Sequence, residues 1–240
     1  MLRLYTSEYM TYNKPLALPE SLREVDMVAQ PTSVGVVQFV FTLISRILMP
    51  LFWARIRVVH PATPVPAGAG VLLLANHKSY YDPLIVANAL PFWSRLRPVR
   101  FFSKDELFLK PLSRFFFMLG GAFPAYYGAG LDRSLRIPKR LLEAGETVLI
   151  FPEGRCVREE YLGEGKIGAA MLARMTPGVR IIPMGIRGAY RIRWGFLKLP
   201  EVRVAFGVPF TLEERGLTQS TPEELTTLLM AEIQAVYDHI

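Results

Sequence analysis

Apolar positions in this chain fall into two patterns, short uninterrupted runs and longer stretches repeating every three to four residues. Val71-Leu-Leu-Leu-Ala75 is apolar at every position and Thr147-Val-Leu-Ile-Phe151 at all but its first. A strand covered on both faces reads this way. Further strand-like runs lie at 97–103, 179–186 and 202–206, with helical stretches between several of them. That order predicts an α/β fold, a mixed, mainly parallel sheet flanked by helices. Asp82-Pro83 reads as an N-cap followed by proline at the first helical position, opening a helix through about Leu90. Thr221-Pro-Glu-Glu224 reads as a capping box for an amphipathic C-terminal helix with Leu225, Leu228, Leu229, Ile233 and Val236 on one face. That helix is assigned to packing.

Near the N-terminus the pattern changes. Residues 34–53 are about as long as a membrane span but are interrupted by Arg46 and Pro50. A clean span, a helix or broken pair lying in the interface with Trp53, Arg55 and Arg57 at the headgroup level, and a core helix all fit. Membrane contact is the reading taken. Residues 1–30 have no basic start leading into an apolar run and do not read as a signal peptide. A Pro/Gly/Ala connector at 61–70 sets a soft boundary near residue 60. It separates an N-terminal tail and membrane-associated helical segment, 1–60, from an α/β domain, 61–240.

Composition adds two constraints. With 240 residues, 51% of them hydrophobic, the chain buries a sizeable core as one domain. A net charge of +7 suits an anionic partner, whether phospholipid headgroups, nucleic acid or a phosphorylated substrate. The cationic residues are dispersed and no zinc-finger or ribonucleoprotein signature occurs, so nucleic acid is set aside. The single cysteine, Cys156, excludes an internal disulfide and any multi-cysteine zinc site, and His60, His77 and His239 lack H-E-x-x-H spacing. No metal site and no cofactor are expected.

Candidate chemistry sits where the two strongest strands end. The first delivers Asn76-His77-Lys78-Ser79-Tyr80-Tyr81-Asp82 into a turn. Five residues is the wrong spacing to stack His77 and Asp82 on one helical face, so only the turn before Pro83 brings carboxylate to ring. There Asp82 would fix the tautomer and leave the other nitrogen to take a proton. The competing reading keeps Asp82 as a helix cap. The second strand leads into Pro152-Glu153-Gly154-Arg155, where Gly154 allows close backbone approach and Arg155 suits a phosphate through paired hydrogen bonds. A plain turn with solvated charges is the alternative. Parallel strands would direct both loops into one crevice.

These pieces in this order, Asn76-His77 with Asp82, Phe151-Pro-Glu-Gly-Arg155 and Ile181-Ile-Pro-Met-Gly-Ile186, resemble the PlsC-like glycerolipid acyltransferases of the lysophosphatidic acid acyltransferase type. The resemblance covers roughly residues 71–186 and takes in Lys104, Glu106, Leu107 and Pro111, similar to the family's lysine-led segment. It implies transfer of a fatty acyl group from acyl-CoA or acyl carrier protein to a lysophospholipid, most simply 1-acyl-sn-glycerol-3-phosphate, at the cytoplasmic face of a membrane. His77 and Asp82 would be catalytic, and Glu153, Gly154, Arg155 and Lys104 would bind the acceptor. One block departs: Gly121-Ala-Phe-Pro-Ala-Tyr126 has tyrosine where the family usually has a phosphate-binding arginine, leaving Arg133 or Arg136 to supply the charge, or a different lysolipid or hydroxyl lipid as acceptor.

The chemistry agrees with that resemblance. An alcohol must lose its proton as it attacks, a task suited to an imidazole, with an ordinary pKa of about 6.5. A thiolate leaving group, pKa about 8.5, needs no dedicated acid. Ser79 and Cys156 keep a two-step route open, and a non-catalytic lipid-binding protein of the same fold is the rival class. The Phe115-Phe-Phe-Met-Leu119 run fits either core or an acyl tunnel, and Arg187, Arg191, Arg193, Trp194, Phe196 and Lys198 fit either headgroup contacts or a solvated loop.

Overall fold

The structure is a computed structural model describing residues 31–52, 54–126, 130–192 and 200–240. The expected contacts of Trp53, Arg193, Trp194, Phe196 and Lys198 lie outside the described residues. Among the described residues, seven strands form one sheet: β1 (Arg55–His60), β2 (Val71–Ala75), β3 (Val99–Ser103), β4 (Ala122–Pro124), β5 (Thr147–Ile150), β6 (Arg180–Arg187) and β7 (Glu201–Phe206), ordered β1-β7-β6-β2-β5-β3-β4. Every neighbouring pair is parallel except β6 and β7. The mixed, mainly parallel sheet read from the sequence is therefore what forms. Two strands go beyond that reading. β4 has three residues, and β1 precedes the Pro/Gly connector yet pairs with β7 from the sheet's edge. Arg55 and Arg57 thus belong to a strand.

β2 is central and wholly buried, with β5 and β6 on either side. Its alternate residues enter two separate cores, Leu72 and Leu74 on one face and Val71, Leu73 and Ala75 on the other. Helix α4 (Leu131–Glu143), α5 (Gly168–Met175) and α6 (Pro222–Asp238) cover the first face, and α2 (Asp82–Ala89) the second. Coverage on both sides is why the run carries no polar position. α6 opens on the expected capping box, with Thr221 Oγ1 accepting from the Glu224 amide at 3.2 Å and Glu224 Oε2 accepting from the Thr221 amide at 2.8 Å. Its buried stripe is Leu225, Leu229, Ile233 and Tyr237, whereas Leu228 is exposed.

α1 (Pro31–Phe52) is one continuous helix despite Pro50, and it packs on α2 and α3 (Pro111–Leu119). Its amphipathicity is inverted. Gln38, Thr42 and Ser45 are buried with Val34 and Met49, while Val36, Phe39, Val40, Phe41, Leu43, Ile44 and Ile47 face outward. Gln38 Oε1 accepts from the Val99 amide at 3.0 Å and its Nε2 donates to the Gly120 carbonyl at 2.8 Å. Arg46, read from the sequence as an interruption, turns inward and donates to the Asn88 and Leu90 carbonyls at the end of α2. Within α3 the aromatic run divides, Phe117 and Met118 packing on the core and Phe115 and Phe116 standing exposed.

Candidate active site

Because β2, β3, β4, β5 and β6 run parallel, the loops that follow them leave the sheet at one edge, where ligands of open α/β sheets bind. The His77 turn after β2 is fastened first by Asn76, whose buried side chain accepts from the Ile186 amide at 2.7 Å and donates to the Ile186 carbonyl at 2.8 Å. Within the turn, Asp82 Oδ2 accepts from the amides of Lys78 at 2.6 Å and Ser79 at 2.8 Å, and lies 2.8 Å from His77 Nδ1. The cap of α2 is Tyr81, with no side-chain cap bond, and Asp82 is the first helical residue. Its carboxylate folds back on the turn, so the expectation of an N-cap is corrected. Nδ1 is committed to Asp82, which leaves Nε2 for chemistry. The ring stacks on Phe151, centroids 4.3 Å apart, and its side chain is 16% exposed.

Asp82 is fully buried, and burial pushes its carboxyl above the usual carboxylate range against the pull of His77 and the two turn amides. An acid whose folded pKa is raised contributes stability that is complete below its unfolded value and is lost as pH rises through the folded one. Compared with Asp82→Asn, the wild type should therefore lose stability as pH climbs above 3.8, its ordinary value, in denaturant titrations at successive pH. A wild type that gains stability relative to Asp82→Asn as pH rises would contradict this placement.

The loop after β5 returns beneath the turn. The Val157 amide donates to the His77 carbonyl at 2.7 Å, and Glu153 Oε1 accepts from the His77 amide at 3.3 Å. Glu153, expected against the acceptor, is only 1% exposed and supports the turn from below. Burial pushes its carboxyl up, opposed by the His77 amide and the Lys78 ammonium. Gly154 has φ +63, the left-handed region that favours glycine, and a Cβ there would displace the end of the Lys166 side chain, 2.9 Å away. Arg155 is exposed and acts electrostatically on Tyr161. Lys104, just beyond β3, places Nζ 5.8 Å from the centroid of Tyr80, whose ring is 66% exposed and lies edge-on to His77 at 6.5 Å.

A second cation reaches the same ring, and sequence reasoning missed it: the Arg158 guanidinium is 5.2 Å from the Tyr80 centroid. Its sole sequence signal is a basic residue three positions beyond Arg155. Tyr126 follows β4 in a left-handed conformation, φ 50, its amide donating to Asp105 Oδ1 at 2.8 Å, and the Arg133 guanidinium covers its ring at 5.0 Å while Arg136 is exposed. Of the other expected contacts, Arg187 donates to the Ile240 carbonyl and Arg191 pairs with Glu160 at 2.7 Å. The Cys156 thiol is pushed up by burial, which disfavours a nucleophilic thiolate, and Ser79 Oγ accepts from the Tyr81 amide.

Comparison with known proteins bears on this edge directly. A family model described as acyltransferase matches residues 56–187. A Mycoplasma pneumoniae protein named as a probable 1-acyl-sn-glycerol-3-phosphate acyltransferase is 31% identical over 158 residues, 62% of this chain and 55% of that protein. A Streptococcus pneumoniae protein named 1-acyl-sn-glycerol-3-phosphate acyltransferase is 27% identical over 165 residues, 68% of this chain and 59% of its own length. The match thus spans a little over half the length of these curated relatives. The structure of the 1-acyl-sn-glycerophosphate (LPA) acyltransferase PlsC from Thermotoga maritima shares the fold, with a TM-score of 0.61 over 98% of this chain and 89% of that one at 18% identity. Since the matched family span runs through β6 and contains both the His77 turn and the Glu153 loop, the chain belongs to the acyltransferase family.

Proposed function

We propose that the protein transfers a fatty acyl group from an acyl thioester, on CoA or acyl carrier protein, to the free hydroxyl of a lysophospholipid, with 1-acyl-sn-glycerol-3-phosphate the preferred acceptor and phosphatidic acid the product. The observation that carries this reading is the His77–Asp82 pair, 2.8 Å apart, beside two cations gathered on Tyr80. His77 Nε2 takes the hydroxyl proton as the oxygen attacks the thioester carbonyl. The tetrahedral intermediate then collapses, the carbon–sulfur bond breaks and the thiolate leaves. Asp82 holds the ring and stabilises the imidazolium. Direct transfer needs neither Ser79 nor Cys156, and neither a metal nor a cofactor is assigned a step.

Lys104 and Arg158 are the phosphate ligands in this reading, with Arg155 and Gly154 on the rim of the same loop and Arg133 taking the place open beside Tyr126. Glu153 supports the turn instead of touching the acceptor. The names of the Mycoplasma and Streptococcus relatives support this acceptor.

A membrane site follows from the substrate and from α1. At about 0.8 kcal/mol per methylene, a 16-carbon chain is held in a bilayer by roughly 10 kcal/mol, so an enzyme that works at the surface avoids extracting it. α1 is long and apolar enough to cross a membrane. Its polar inner face, however, is used against the domain along Val34, Gln38, Thr42, Ser45 and Met49, which suits a helix lying in the plane of the cytoplasmic leaflet.

Labelled acyl-CoA or acyl carrier protein, offered with 1-acylglycerol-3-phosphate and with the same lipid lacking phosphate, tests the assignment. The expected result is transfer to the phosphorylated lipid, with Arg158→Ala and Lys104→Ala each raising KM for it by about tenfold or more and changing the unphosphorylated lipid little. Lipid binding without transfer from either thioester would instead favour a non-catalytic lipid-binding protein.

A further inference from the structure

Lys78, the residue after the base, is fully buried. A buried ammonium is costly unless the fold compensates it, so its surroundings indicate what it is kept for. Nζ donates to the Tyr161 carbonyl, in the same loop as Gly154, Arg155 and Arg158. It also lies 5.4 Å from the ring centroid of Tyr237 in the last turn of α6, and the Glu153 and Asp82 carboxylates act on it electrostatically. The Tyr237 ring is itself flanked by a second cation, the Arg187 guanidinium at 5.2 Å, which donates to the Ile240 carbonyl at 2.6 Å. Tyr237 is 2% exposed, and its hydroxyl has no hydrogen-bond partner among the described residues, so its ring is what these contacts use. Gly185 of β6 admits the helix closely: a Cβ there would meet Tyr237 Cα at 2.9 Å.

We propose that Lys78 is the positioning residue of this site, drawing the base turn, the loop after β5 and the C-terminal end of α6 onto one ammonium, so that the spacing between His77 and Arg158 depends on Tyr237. Full burial denies Lys78 contact with either substrate. Tyr237 lies beyond residues 56–187, so nothing in the family match marks it. The proposal rests on the acyl-transfer reading only for its effect on rate, because its geometric content is testable without turnover.

The test uses the full chain in lipid vesicles or detergent, comparing Lys78→Met, which keeps an unbranched stem, with Tyr237→Leu, which leaves the ammonium in place. Hydrogen exchange is read at the Val157 amide, bonded to His77, and the Lys166 amide, bonded to Pro152. Both variants should speed exchange there about tenfold or more while the amides of β2 and β5 stay protected. In acyl transfer both should lower kcat about 10- to 100-fold with KM for the acceptor within threefold, the mark of a misplaced base and not a lost contact. Unchanged exchange at both amides in Tyr237→Leu overturns the proposal, as does a rise in KM at constant kcat in Lys78→Met. If Lys78→Met does not fold, Tyr237→Leu decides alone. Should no acyl transfer be found with the wild type, the exchange result still stands or falls by itself.

Discussion

His77→Ala should lower acyl transfer by about 10²–10⁴ while the protein stays folded and keeps its acceptor affinity. The size follows from what the substitution removes. Nδ1 is bound to Asp82 at 2.8 Å, so the ring has one nitrogen left for the substrate, and Cys156, half-buried with a raised thiol pKa, is a poor replacement. Without the ring, the hydroxyl must lose its proton to water. Persistence of the fold follows from the same geometry. Asp82 Oδ2 keeps its bonds from the Lys78 and Ser79 amides, and losing the His77 bond, which holds the Asp82 carboxyl down, lets it protonate more readily instead of standing as an isolated buried charge. What is lost in packing is the stack on Phe151 at the site's mouth. Initial rates at saturating thioester with the phosphorylated lysolipid, beside melting curves, check both halves. A rate within tenfold of wild type would remove His77 as the base and leave the site to orientation alone. Large losses in both kcat and melting temperature would mean the ring is structural.

The sheet centre was readable because burial on both faces leaves no polar position: β2 and β5 could scarcely be anything else once their runs are seen. β1 was harder to see. An edge strand is half solvated, and Arg55-Ile-Arg-Val-Val-His60 alternates too weakly to separate from the apolar helix before it. The His77 turn was legible as a pair of residue types but ambiguous in its bonding, since Asp before Pro signals a cap and a base orienter alike. In the fold Oδ2 accepts from the turn's amides and faces His77 Nδ1, so the carboxylate does not cap the helix. Arg158, Lys78 and Tyr237 share another difficulty. Each acquires meaning from a partner dozens of residues away, and nothing local in the chain distinguishes a lysine at a strand end that dives inward from one that is solvated. Arg46 shows the same difficulty in α1: it reads with Pro50 as an interruption of an apolar stretch, and only its bonds to the Asn88 and Leu90 carbonyls show it attaching the helix to its own domain.

That attachment sets the second large effect, in which Phe41, Ile44 and Ile47 are all changed to lysine. They are 64%, 50% and 59% exposed on the outer face of α1. An apolar side chain of this size gains about 1.5–3 kcal/mol on full burial. With roughly half of each available to a bilayer, the three together amount to about 3 kcal/mol, or about 10² in partitioning between vesicles and water at 1.4 kcal/mol per decade. The fold should survive, because the helix is held from its other side by Gln38 on the Val99 strand and by Arg46 on the Asn88 and Leu90 carbonyls. Gln38→Ala reverses the pattern. It leaves the buried Val99 amide and the Gly120 carbonyl without their partner, which costs stability of about 1–3 kcal/mol but exposes no new charge to the membrane. Flotation of both variants with vesicles, beside their melting curves, separates the two faces. If the triple lysine variant floats as the wild type does, the outward side chains of α1 have no part in holding the protein to lipid, and the exposed Phe115 and Phe116 of α3 become the next surface to examine.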